Sequence, residues 1–133
     1  MTRIFADTSG FLALFSAADE NHARAARVFE QLRKGQAPLL TTSYVVLETY
    51  SLLGRRFGLE AVKMFRDGFA PLVEVIWVDD ALHNSGLDLL LKTRKRSLSL
   101  TDSVSFVVMN QNGLSEAFAF DHHFEQEGFS LLS

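Results

Sequence analysis

Short apolar runs that each stop at an acid or a hydroxyl, separated by longer stretches of helical periodicity, restrict this chain to few folds. Ile4-Phe5-Ala6 halts at Asp7, and Thr8-Ser9-Gly10 then precedes the apolar Phe11, Leu12, Leu14 and Phe15. Leu39 to Thr42 leads into Ser43, Leu72 to Val78 into Asp79-Asp80, and Glu116 to Phe120 into Asp121. Runs of this length, rich in β-branched and aromatic residues, read as buried strands. Between them lie stretches such as Asn21 to Leu32, where Ala25, Val28, Phe29 and Leu32 recur at helical spacing. Strands alternating with helices predict an α/β fold, a mostly parallel sheet covered on both faces.

The punctuation residues sharpen the boundaries. Gly35 ends the second helix and Pro38 opens the next segment. Ser43 is the expected N-cap of a helix from Tyr44 to Leu53 that carries Glu48, with Gly54 and Gly58 bracketing Arg55-Arg56-Phe57. Leu59 to Phe69 restarts helical periodicity until Pro71. Asp79 or Asp80 caps a helix through Leu91 that the basic run Lys92, Arg94, Lys95, Arg96 closes. Thr101 is the expected cap of Asp102 to Met109, and Phe129 to Leu132 supplies a last strand.

With 133 residues, one domain over 1–133 is expected, large enough for a core without staples. Cysteine is absent, which removes disulfides, thiolate-bound zinc and thiol nucleophiles, and fits a reducing cytoplasm. The apolar opening Ile4 to Ala18 is interrupted by Asp7 and falls short of the ~20 residues of a membrane span, so neither a signal peptide nor an anchor is read. A net charge of -3 argues against a broad basic surface for nucleic acid.

In open α/β sheets the ligand site lies beyond the carboxyl ends of the strands, where Asp7 and Asp121 fall. Asp102 opens a helix, and Glu48 shares a helical side with Tyr44, Val45, Ser51 and Leu52. Each acid alone has an ordinary explanation: a helix start for Asp7, a dipole partner for Asp102, a turn for Asp121, compensation by Arg55, Arg56 or a tyrosine for Glu48. One cause accounts for all four together, a hard divalent cation such as Mg²⁺ or Mn²⁺ held by carboxylates. His122 and His123 read as surface or substrate-edge residues, since neighbouring histidines point apart. No Gly-rich phosphate loop, acyl-transfer elbow or paired phosphoacceptor aspartate occurs.

Ile4 to Leu12, Glu48 within Val46-Leu47-Glu48-Thr49, Leu100 to Phe106 and Ala119 to Phe124 occur in the order and spacing of a PIN domain, and the whole chain resembles the small VapC-like toxins. The resemblance implies a three-layer α/β/α sandwich and a Mg²⁺-dependent endoribonuclease giving 5′-phosphate and 3′-hydroxyl products. Carried over by position, Asp7, Glu48, Asp102 and Asp121 form the acidic cluster. Asp7, Asp102 and Asp121 become the metal ligands and Glu48 orients a second ion or a water. Thr8, Ser9 and Thr101 match supporting polar positions, while Ser97 and Ser99 stand where some relatives carry another acid, which leaves one or two ions open. Arg55, Arg56, Lys63 and Arg66, with Lys92 and Arg94 to Arg96, are candidates for gripping RNA phosphates, with Tyr44 or Phe57 for stacking.

The partners implied are RNA, a small antitoxin whose tail brings a cation to the acids, and a second copy of the chain. Phenylalanines, 12 in all, suggested an apolar surface for the last two. A PIN-like module that binds RNA or protein without cutting, and a metal-dependent DNA nuclease or phosphatase, are the competing functions. Four acids gathered against phosphate disfavour the first of these.

Overall fold

The computed structural model describes residues 3–132. In chain order the elements are β1 (Ile4–Ala6), α1 (Thr8–Phe15), α2 (His22–Lys34), β2 (Leu39–Thr42), α3 (Ser43–Phe57), α4 (Leu59–Gly68), β3 (Val73–Ile76), α5 (Asp80–Thr93), α6 (Leu100–Gln111), β4 (Glu116–Phe118), α7 (His123–Gln126) and β5 (Ser130–Leu131). A short 3-10 turn, Ala70–Leu72, carries Pro71 before β3. The five strands form one sheet in the order β3-β2-β1-β4-β5, and every pairing is parallel. All carboxyl ends therefore share one edge, and β1 lies at the centre with each of its residues buried.

Side-chain alternation along the central strands builds the two outer layers. Phe5 stands opposite Ala117, so Phe118, the next residue along β4, points to the other face. On one side Phe118 meets Phe11 of α1 and Phe29 of α2, and Phe11 meets Phe65 of α4 edge-to-face at 5.0 Å. On the other, Phe5 packs near Phe124 of α7, which meets Phe106 of α6 at 5.0 Å. The result is an α/β/α sandwich whose phenylalanines are its core. Only Phe57 among the 12 is exposed, so these residues do not form the apolar surface expected of them. The exposed large apolar groups include instead Leu47, Leu59, Met64 and Trp77.

Two expected caps shift. Thr42 rather than Ser43 caps α3, because the last residue of β2 is already extended and its hydroxyl accepts the Val45 N–H at 3.2 Å. That helix also runs through Gly54 to Phe57, and Gly58, with φ +90°, follows it. Ser99, not Thr101, caps α6 through a reciprocal box: its Oγ accepts from the Asp102 N–H, and the Asp102 carboxylate accepts from the Ser99 N–H.

Gly10 fixes the approach of α1 to the sheet. A Cβ at this position would stand 2.5 Å from the Phe118 carbonyl oxygen and 2.9 Å from its ring. Gly10→Ala is expected to destabilise the fold by about 1–3 kcal/mol through overpacking, read as a lower urea midpoint by circular dichroism. Stability equal to the parent's would show that α1 can shift without cost.

Candidate active site

Asp7 leaves β1 and becomes the N-cap of α1, where its Oδ2 accepts from the Ser9 N–H at 3.1 Å and the Ser9 hydroxyl at 2.7 Å. The same hydroxyl accepts from the Phe120 N–H at 2.9 Å. Ser9 thereby ties the end of β1 to the segment leaving β4, and Asp121 is the next residue. Thr8 is spent differently: it is buried and hydrogen-bonded to the Val45 carbonyl and Thr49 hydroxyl, joining α1 to α3.

Asp102 is held by the α6 capping box. Asp121 is held by His123, whose backbone N–H and ring Nδ1 both lie within 2.9 Å of Oδ1. The far ring nitrogen, Nε2, is 3.0 Å from the Ser97 hydroxyl, so the Nδ1–H tautomer satisfies both contacts. One ligating atom from each of Asp102, Asp121 and His123 falls within 4.8 Å of the others. Sequence reasoning set His123 aside with its neighbour, yet the two diverge: His122 pairs with Glu125 on the surface. The signal was the spacing from Asp121, which lets an acid after a strand accept from the N–H two residues on.

Charge decides what this edge can hold. Burial pushes the Asp7 carboxyl up to about 7; Asp102 and Asp121 add to the rise, and the two Ser9 hydrogen bonds only partly offset it. Burial raises Asp102 as well, with Asp121 contributing, against the hydrogen bonds from Ser99 and the proximity of His123. Asp7 and Asp102 thus sit where ionisation is opposed by desolvation and by the charges of neighbouring carboxylates. A hard divalent cation relieves both, and oxygen donors are the ligands it prefers, so the residues fit Mg²⁺ or Mn²⁺.

Glu48 stands to one side. It is half-buried in a groove with Tyr44, Leu47, Ser51, Leu100 and Thr101, which joins it to the first turn of α6 next to Asp102. Neither Arg55 nor Arg56 forms an ion pair with Glu48 among the described residues, so that explanation for Glu48 loses its arginine partners. The Tyr44 hydroxyl is turned to His83, 2.5 Å away. Among the bases, Arg66 pairs with Asp67 and Lys95 reaches Glu127, whereas Arg55, Arg56, Arg94 and Arg96 have no carboxylate partner among the described residues. Arg94, Lys95 and Arg96 line a shallow groove with Leu90, Leu91 and Leu98 just ahead of the α6 cap.

A parallel sheet with acids from β1, β4 and the first turn of α6 at its carboxyl edge agrees with the family comparison: the PIN domain model matches residues 4–129. The chain belongs to the PIN domain family. Within that family it is 36% identical over 128 residues, 95% of each chain, to the 23S rRNA-specific endonuclease VapC20 of Mycobacterium tuberculosis. The crystal structure of that protein, described as a sarcin-ricin loop cleaving toxin, superposes with a TM-score of 0.82 at 34% identity over 95% of both chains. The DNA-bound VapBC structure from Salmonella typhimurium shares the fold, with a TM-score of 0.68 at 14% identity over 99% of this chain and 98% of that one. No helix of this PIN protein, among the described residues, is long and apolar enough to cross a membrane.

Proposed function

We propose that this PIN protein is a VapC-type endoribonuclease that hydrolyses RNA phosphodiesters with a divalent cation, the toxin of a toxin-antitoxin pair. The observation that carries the reading is the meeting of Asp7, Asp102 and Asp121, from three distant parts of the chain, at one sheet edge where burial opposes the ionisation of Asp7 and Asp102. Those three would hold Mg²⁺ or Mn²⁺, and Glu48 flanks them. Such an ion supplies Lewis acidity toward the phosphate and the attacking water.

The chain's own part is orientation and grip. Ser9, Ser99 and His123 each fix one carboxylate, so the donors are set before substrate arrives. Arg94 and Arg96 ahead of α6, and Arg55 and Arg56 at the end of α3, are free to meet phosphates. The preference for RNA over DNA rests on similarity to a 23S rRNA-specific endonuclease. The VapC kinship also supports a small antitoxin that covers the acids with a cation. Self-association through the exposed Leu47, Leu59 and Met64 on α3 and α4 completes the reading.

Incubation with an RNA hairpin of 23S rRNA sequence and with the matching DNA, in Mg²⁺, Mn²⁺ or EDTA, tests it. RNA is expected to be cut to 5′-phosphate ends, with the rate in EDTA lower by at least about 100-fold. Cleavage unaffected by EDTA overturns the metal dependence, and equal cleavage of DNA overturns the substrate assignment.

A further inference from the structure

We propose that the cavity between the start of α2 and α7 is a subsite for an unpaired guanine of the RNA next to the cleaved phosphate; this rests on the nuclease reading above. The cavity, about 560 Å³, is lined by Glu20, Asn21, Arg24, Phe120, His122 and Glu125 among others. That volume lies within the range of ligand pockets. It opens on the same edge as the acids, because Phe120 and Leu132 lie just past the ends of the parallel strands β4 and β5. Its lining residues Phe120 and His122 flank Asp121 directly in the chain, so a strand with its phosphate at Asp121 has an adjoining base within reach.

The lining chemistry selects a base rather than a phosphate. Phe120 is half-buried, its ring braced edge-to-face by Phe118 and its backbone N–H by Ser9. Arg24 stands with its guanidinium 5.7 Å from the ring centroid. The guanidinium lies over the ring, so an unstacked base would lie on the outer side of the guanidinium plane that Phe120 backs. Two carboxylates in the same wall repel phosphate but accept from donors on a base edge. Glu125 is already engaged by His122, whereas Glu20 has no ion-pair partner among the described residues and is the acceptor left in the wall. Guanine presents N1–H and N2–H side by side and can satisfy both oxygens of one carboxylate, with the Asn21 amide beside it for the neighbouring carbonyl. A cationic peptide side chain is the poorer occupant, since Arg24 already holds the cation's place at Phe120.

Two measurements test the subsite. In the first, the metal-free protein in EDTA is titrated with guanosine, adenosine and cytidine 5′-monophosphates and followed by amide NMR shifts. The guanosine nucleotide is expected to bind at least about tenfold tighter than the others and to move the Asn21, Arg24 and Phe120 signals, with about tenfold weakening in Phe120→Ala and in Glu20→Gln. In the second, cut sites on a random single-stranded RNA pool are mapped with metal. The parent is expected to prefer guanine beside the cut, and Glu20→Gln to lose that preference. No nucleotide selectivity by NMR, or a cut-site preference that survives both substitutions, overturns the subsite while cleavage itself upholds the nuclease. Nucleotide binding without any cleavage of RNA leaves the subsite standing and overturns the nuclease instead. If the substitutions change only inhibition by an antitoxin peptide and leave base preference intact, the cavity belongs to a protein partner and the proposal falls.

Discussion

Asp102→Asn is expected to lower kcat/KM for RNA by at least about 100-fold while leaving the unfolding temperature of the metal-free protein within about 3 °C of the parent's. The pairing of these two results separates two roles the residue holds at once. As the third residue of α6, Asp102 completes the capping box by accepting from the Ser99 N–H at 3.3 Å. An asparagine oxygen at the same place can accept that hydrogen bond, so the helix start survives. What asparagine lacks is the charge that a cation at this edge requires. Were Asp102 only a helix-start residue, the substitution would cost at most a few tenths of a kcal/mol and leave cleavage intact. Ser99→Ala gives the complementary result: loss of a cap, about 1 kcal/mol in stability, with kcat/KM reduced less than by Asp102→Asn because the carboxylate loosens but remains. Equal activity of Asp102→Asn and parent, measured on the same RNA with Mg²⁺, would remove this acid from the chemistry.

The acidic balance of the chain takes on a different meaning at this site. Setting aside Asp7, Glu48, Asp102 and Asp121 leaves 12 acids against 13 bases, close to neutral over the rest of the molecule. A bound cation reverses the sign of the edge where those acids gather. The net charge of -3 therefore does not oppose RNA binding once the ion is present, and Arg94 and Arg96 add positive charge ahead of Asp102.

The layers of the fold were legible because the short apolar runs of β1, β2 and β4 alternate with longer stretches of helical period, although β4 stops at Phe118, short of the acid that closes its run. Capping was less legible. Thr42 and Ser43 are both competent caps, as are Ser99 and Thr101, and the choice depends on where the preceding strand or loop delivers an extended residue. The acids at chain turns, Asp7 and Asp121, could be placed from sequence because strand ends share an edge. His123 could not, since its value lies in a ring that reaches Asp121 on one side and Ser97, 26 residues away, on the other. The phenylalanines misled for a related reason. Helical spacing identifies an apolar stripe but not which of two facing layers covers it, and here the sheet and neighbouring helices cover nearly all of them.

Asp7→Asn is expected to stabilise the metal-free protein at pH 8 by up to about 4 kcal/mol and to leave it unchanged only well below pH 3.8. The native carboxyl titrates at about 7 against an ordinary 3.8, so the folded state holds this proton more tightly than the unfolded chain does. Well below 3.8 the group is protonated in both states and contributes nothing. As pH rises toward 7 the unfolded chain releases the proton while the native state retains it, and stability falls throughout that window. Above 7 the loss is complete, because the native state then carries a buried charge beside Asp102 and Asp121. Asparagine keeps an oxygen for the Ser9 N–H and has no proton to lose, so its urea midpoint should stay flat over the same range as far as this group decides it. Mg²⁺ or Mn²⁺ supplies the missing charge only where the carboxylate is ionised. Either ion should therefore raise the midpoint of the parent at pH 8 more than at pH 5, by mass action on the native state, and should do less for Asp7→Asn at both. A parent whose midpoint is level from pH 4 to 8 in EDTA would contradict the buried acid. An ion that stabilises parent and variant equally would place the cation away from Asp7.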